Sequence, residues 1–324
     1  MRSLIEDVLA TGFADSPFDG IGLEAFDDGA AMKVGDEWLV ITTDSHVIHP
    51  IEFPGGDIGK LSIAGTMNDL AMMGATERIA LTCAMIIEEG FEIETLARIH
   101  RSMVETSREA GGVIVTGDTK VMGRGEIDGL VINTTGIGFA KRPIRDNGLT
   151  VGDRIIVTGT MGDHGLAIMA TRHQLGLQGD LRSDTAPLTE LIRRTIEAGG
   201  DEIVAMKDPT RGGLSSALHE MAAKANVGVV LQEADIPIAE PVRAAGEILG
   251  IDPLQVANEG KAVIGVRAAA AERVLEALRT HPLGRDAAIV GTVVEERPGQ
   301  VILDTGFGRR LLSESDGEPL PRIC

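Results

Sequence analysis

What most constrains this chain is a repetition. Two long stretches of alternating strand-like and helix-like pattern flank one polar, turn-rich run, "KRPIRDNGLTVGD", at residues 141–153. Before that run, "EWLVITTD", "RIALTCAMII", "GGVIVTGD" and "GLVINTTGIG" have the β-branched character of strands. Between them "IETLARIHRSMVETSREA" sets Ile93, Leu96, Ile99, Met103, Val104 and Ala110 on one helical stripe. After the run the pattern starts again. Strands are expected at "RIIVTG", "IVAMK", "VGVVLQ", "KAVIGV", "AAIVGTVV" and "QVILD", and helices at "GLAIMATRHQ", "TELIRRTIEA", "GGLSSALHEMAAKA" and "AAAERVLEALRT". Such a chain is mixed α/β in both halves, and Pro, Asn and Gly in the intervening run mark a boundary there. We divide it at 1–148 and 149–312. The remainder, 313–324, ends "SESDGEPLPRIC" with two prolines and no periodicity, which predicts a flexible tail.

Charge and length narrow the function. The 324 residues suffice for two domains, and the net charge of -19 opposes nucleic acid and anionic membrane surfaces alike. The opening "MRSLIEDVLATGF" lacks the apolar core of a signal peptide, and no apolar run approaches membrane-spanning length. A soluble, cytoplasmic protein is expected. Its two cysteines cannot form a disulfide framework. Cys83, inside "IALTCAMII", reads as a small buried hydrophobe, whereas Cys324 ends the tail, where a thiol has no packing role.

Carboxylates recur at strand and helix ends: Asp27 and Asp28 in "FDDGAA", Asp44 in "ITTDSH", Asp69 in "GTMNDLAMMG", Asp118 in "VTGDTK" and Asp208 in "MKDPTRGG". Any one alone caps a helix or closes a turn. Together they are the oxygen donors that Mg²⁺ uses to hold nucleotide phosphates. Gly55, Gly56 and Gly59 in "FPGGDIGK", with Lys60 behind them, and Gly212 and Gly213 in "DPTRGGL" can offer backbone amides to an anion, although each pair by itself reads first as an ordinary tight turn. No P-loop motif is present, so an ATP site here is of another kind. Lys120 follows Asp118 closely, and Glu259 stands in "VANEGKAV"; by composition alone both are ordinary surface charges.

The long motifs "TTDSHVIHPIEFPGGDIGKLSIAGTMNDLAMMGA", "IIEEGF", "GVIVTGDTKV", "INTTGIG", "MKDPTRGGLSSALHEMA", "LGIDPLQVANEGK" and the closing "PRIC" resemble the HypE family of hydrogenase-maturation proteins, from about Leu4 to Cys324. Through it the chain is similar to the ATP-dependent superfamily of aminoimidazole ribonucleotide synthetase, selenophosphate synthetase and thiamine-monophosphate kinase. The resemblance implies a two-domain PurM-like α/β fold that dimerises through its N-terminal sheets. It implies that Cys324 receives a carbamoyl group from the carbamoyltransferase HypF. ATP then dehydrates the thiocarbamate to a thiocyanate, and the cyano group passes through a HypC–HypD complex to the iron of a [NiFe]-hydrogenase. Phosphorylation is needed because an amide oxygen is a poor leaving group.

The shared position of Asp28, Asp44, Asp69 and Asp118 at strand or helix ends predicts that these four converge on one Mg²⁺–nucleotide site. By the same resemblance Gly55, Gly56, Lys60, Asn68, Asp208, Thr210, Arg211, Gly212 and Gly213 bind the nucleotide. Cys324, Lys120 and Glu259 carry the chemistry, with the base near Glu259 and with Lys120 beside it or steadying charge. The family's "HGxGG"-like segment, near the phosphates in related enzymes, has no counterpart in a sequence that opens "MRSLIEDV". Two other readings compete. A selenophosphate synthetase commonly uses an N-terminal Cys or selenocysteine, which nothing before Cys83 provides, and a thiamine-monophosphate kinase has no use for the tail. A non-catalytic carbamoyl carrier would keep "PRIC" without needing the Asp, Gly and Lys motifs.

Overall fold

The computed structural model describes residues 8–10, 12–13, 19–176, 180–314 and 323. Most of the expected tail, with Cys324, therefore lies outside the described residues. In the first half, β1 (Gly20–Ile21), β2 (Ala30–Val34), β3 (Glu37–His46), β6 (Glu77–Glu88), β7 (Gly112–Met122) and β8 (Leu130–Ala140) form a sheet ordered β1-β2-β3-β8-β6-β7. Only β6 and β7 run parallel, joined by the crossover helix α2 (Ile93–Ala110). A two-stranded ribbon, β4 (Glu52–Phe53) with β5 (Gly56–Asp57), leads into α1 (Ile58–Met72), whose first turn is capped by Asp57 accepting from the Gly59 and Lys60 amides.

The second half holds β9 (Arg154–Val157), β10 (Ile203–Lys207), β11 (Gly228–Gln232), β12 (Val263–Val266), β13 (Ala288–Val294), β14 (Val301–Asp304) and β15 (Arg309–Leu311), ordered β10-β12-β9-β13-β11-β14-β15. Leu214, Leu218 and Met221 of α5 (Gly213–Ala225) bury one face of this sheet. The other face takes Leu191 and Ile192 of α4 (Thr189–Gly199) and Val274 and Leu278 of α7 (Ala271–Arg279). A third helix pair, α3 (Asp163–Arg172) and α6 (Glu240–Leu249), sends Leu166, Ile168, Val242 and Ala245 into the first half's apolar cluster.

α2 spans the expected residues, and its stripe buries Ile99, Met103 and Ala110, although Ile93 at its start is 77% exposed. α1 has no such stripe to read. The first sheet lies on one side of it, α2 on another, and Ala71 and Met72 enter the second half's core, so it is apolar all round.

Candidate active site

Alternation along β3 turns Thr42, Asp44 and His46 to the α1 side of the first sheet. Thr42 Oγ1 lies 2.8 Å from Asp69 Oδ2, and Thr66 Oγ1 donates to Asp44 Oδ2 at 2.9 Å, so strand and helix carboxylates are fixed against each other. The loop before β2 adds Asp28, whose carboxylate accepts from Lys207 Nζ at 2.5 Å. Lys207 ends β10, and Asp208 follows it, 7% exposed. Glu259, 4% exposed, closes the group from the loop before β12.

These carboxylates share one field. Burial, then Asp44, Asp208 and Asp28, push the Asp69 carboxyl well above the usual range. Burial and then Asp28 raise Asp208 to about 8, and burial outweighs Lys207 in raising Asp28. Glu259 is pushed far up by burial and by Asp208, Asp184 and Asp44, and its Oε1 has no hydrogen-bond partner among the described residues. Such a cluster holds on to protons unless a cation relieves it.

Asp184 anchors the far wall. Burial alone would raise its carboxyl, but Lys261 Nζ at 3.1 Å, Asn258 Nδ2 at 2.9 Å and the Glu259 amide at 3.1 Å together hold it below the ordinary value. One residue earlier, Ser183 Oγ lies 2.7 Å from Nδ1 of the fully buried His164, whose Nε2 lies 2.6 Å from the Ile323 carbonyl oxygen. Ile323 is 5% exposed and lies against this wall.

The other residues singled out by sequence are spread over several tasks. Gly55 (φ +102°) makes the ribbon turn, and a Cβ there would stand 2.4 Å from the Ser183 carbonyl oxygen. Gly56 lies beside it in β5, and Lys60 Nζ donates to the Gly55 carbonyl at 3.1 Å. Asn68 spends its amide on backbone: Nδ2 donates to the Ala186 and Glu259 carbonyls, and Oδ1 accepts from the Leu188 amide. Gly212 and Gly213 lead into α5 with positive φ, where a Cβ on Gly213 would stand 2.4 Å from the Val256 carbonyl oxygen. The Gly213 amide donates to the Thr210 carbonyl, and Arg211 beside it is exposed.

Asp118 and Lys120 stand apart from the cluster. They pair with each other at 3.7 Å on the edge strand β7, their side chains 67% and 73% exposed. The register aligns Asp44 with Thr134, Thr134 with Cys83 and Cys83 with Gly117, which puts Asp118 and Lys120 on the opposite, open face of the sheet. Within one chain they do not meet Asp44, Asp69 or Glu259.

Sequence reasoning did not single out Lys207, Asp184, Lys261, His164 or Ser183. Lys207 adjoins Asp208 in "MKDPTRGG", and His164 opens α3 in "GDHG"; position within a motif was the available signal. Among the described residues no three His, Cys, Asp or Glu side chains already gather in metal-binding geometry. Asp44, Asp69 and Asp208 nonetheless suit Mg²⁺, a hard ion that takes one or two carboxylates and completes its shell with waters and phosphate oxygens. Asp28 is already matched by Lys207.

Comparison with known proteins places this geometry. Residues 26–140 match the family model of the AIR synthase related protein N-terminal domain, and residues 150–304 that of its C-terminal domain. The chain is 47% identical to carbamoyl dehydratase HypE of Escherichia coli over 326 residues, covering 100% of this chain and 96% of that one. It is similar to a solved structure of a HypE–HypF complex, with TM-score 0.90, 40% identity and coverage of 97% of this chain and 100% of that chain. A structure of HypE in complex with ATP matches at TM-score 0.86 and 41% identity, over 100% of this chain and 96% of that chain.

Proposed function

The chain belongs to the HypE family of carbamoyl dehydratases, and from that premise we propose that it uses ATP to dehydrate an S-carbamoyl group on its own Cys324 to a thiocyanate. One observation carries the reading. The consecutive residues Ser183 and Asp184 link the buried Ile323, through His164, to the backbone amide of Glu259, whose Oε1 is buried without a hydrogen-bond partner among the described residues. A buried Ile323 linked to the wall that carries Glu259 suits a substrate borne on the residue that follows it.

The chemistry assigns each part a task. The carbamoyl oxygen takes the γ-phosphoryl group of ATP, releasing ADP; two N–H protons and phosphate then leave, and the S–C≡N group remains. Glu259, whose pKa is raised by burial and by neighbouring carboxylates, would receive a proton from the carbamoyl nitrogen in its ionised form, which a cation at those carboxylates would favour. Asp44, Asp69 and Asp208 would hold Mg²⁺, which when bound offsets phosphate charge during transfer. Gly55, Gly56, Lys60, Thr210, Arg211, Gly212 and Gly213 border the nucleotide, and Asn68 sets the wall that carries Glu259.

Lys120 and Asp118 require a second copy. We assign the open face and the β7 edge to a homodimer contact through which one chain lends both residues to the other's carboxylate cluster. An uncovered edge strand, with Val113 61% exposed on that same open face, supports this. HypF supplies the carbamoyl group and HypC–HypD accepts the cyano group, in the cytoplasm. No described helix is long and apolar enough to cross a membrane. Intact mass after incubation with HypF, carbamoyl phosphate and ATP tests the activity: a carbamoyl adduct that then loses water is expected, and an adduct stable to ATP defeats it.

A further inference from the structure

We propose that His164 is the docking residue for the chain end: its imidazole grips the peptide group joining Ile323 to Cys324 and so positions the reacting cysteine. The proposal rests on the reading that Cys324 carries the substrate. Nε2 lies 2.6 Å from the Ile323 oxygen, a carbonyl that can only accept, so Nε2 carries the hydrogen. Burial holds the imidazole pKa below its ordinary value and the ring neutral, leaving Nδ1 bare. Nδ1 then needs a donor, and Ser183 Oγ, 2.7 Å away, provides it. Ser183 in turn accepts from the Thr185 amide at 3.1 Å, with Thr185 Oγ1 at 2.7 Å. The relay from Thr185 through Ser183 to His164 fixes both tautomer and ring orientation.

Packing finishes the dock. The Phe53 ring meets His164 edge-on at 5.6 Å, and Ile323 joins the apolar cluster that contains Phe53, Leu166, Val256 and Ala257. The Ser183 amide donates to the Pro54 carbonyl, so the wall behind the relay is tied to the ribbon turn at Gly55. Cys324 is one Cα step, about 3.8 Å, beyond the gripped residue. Anchoring Ile323 therefore leaves the cysteine little beyond its own torsions to search.

His164 acts through Ile323, so it is a positioning residue, and its test needs a readout other than folding. The full-length protein is treated with iodoacetamide and both thiols are followed by mass spectrometry, the buried Cys83 serving as the slow internal reference. His164→Ala is expected to raise the Cys324 alkylation rate about tenfold, the size of one lost hydrogen bond, and to slow single-turnover dehydration of the carbamoylated protein by a similar factor. His164→Gln, which keeps an N–H donor near Nε2, should bring both rates back to within about threefold of the wild type. Unchanged Cys324 alkylation in His164→Ala, or a Gln variant no better than Ala, overturns the proposal. If His164→Ala does not fold, Ser183→Ala decides: it keeps the imidazole but removes its orienting donor together with the acceptor of the Thr185 amide, so severalfold faster alkylation supports the dock and an unchanged rate refutes it. A wild-type protein that never dehydrates its adduct would defeat the proposed function and leave the alkylation result to judge the dock.

Discussion

At Glu259 a carboxyl oxygen is buried without a donor among the described residues, and burial, then the neighbouring carboxylates, hold the group's pKa high. Glutamine matches the shape of the neutral acid, so Glu259→Gln should fold normally while losing the proton acceptor. We expect that variant to accept the carbamoyl group at the wild-type rate and to dehydrate it about 10²–10⁴-fold more slowly, the usual contribution of a positioned base. Intact mass separates the two steps, and normal thiocyanate formation would remove Glu259 from the chemistry. Asp44, Asp69, Asp208 and Glu259 could be picked out from the sequence because each stands in a motif long enough to recognise. Lys207 and Lys261 stand in the same motifs as Asp208 and Glu259, but their buried ion pairs reach distant segments and leave no local pattern to give them a role; Lys261 and Asp184 are 77 residues apart. Asn68 shows the converse, since its motif names the residue but cannot tell a ligand-facing amide from one that clips three backbone groups together.

Among the elements, β7 separates what a pattern can say from what it cannot. Its β-branched run announces a strand, but its place at the sheet edge depends on which neighbours pair with it, and that is a tertiary fact. α2 was legible through its stripe, whereas α1, buried on every side, offered no period to find. If β7 lends Asp118 and Lys120 across a dimer, two inactive variants should rescue each other. Mixing and re-annealing Lys120→Ala with Glu259→Gln should recover about a quarter of the wild-type dehydration rate, since half the dimers are mixed and one of the two sites in each is whole. The same mixture remaining inactive, with sedimentation showing dimers, would mean that each chain uses its own Lys120.

Across the whole molecule the two halves meet on a buried charge network that is continuous with the carboxylate cluster. Asp27 accepts from Arg145 Nε at 2.8 Å and from the Asp146 amide at 3.1 Å. Lys224 Nζ donates to Asp146 Oδ2 at 2.6 Å, and Lys207, paired with Asp28, lies 3.7 Å from Asp146. Asp146 belongs to the polar run that read as a boundary, yet it is 1% exposed; turn chemistry and buried ion pairing draw on the same residue types, which is why sequence alone could not separate them. Burial first, then a hydrogen bond with Asp27, raise Asp146 to about 7 against the opposing pull of Lys207 and Lys224. A proton there would also let Oδ1, which has no hydrogen-bond partner among the described residues, donate to Asp27. The folded state thus keeps a proton that the unfolded chain releases near pH 4. Asp146 therefore favours the fold most below about pH 4, and that contribution is lost as pH rises toward about 7, up to a few kcal/mol in all. Without nucleotide or Mg²⁺, whose binding would add its own stabilisation, calorimetry from pH 4 to 8 should show wild-type stability falling more steeply than that of Asp146→Asn, which cannot titrate. The two curves should run parallel above about pH 7; curves parallel across the entire range would mean that the shared proton resides on another member of the network.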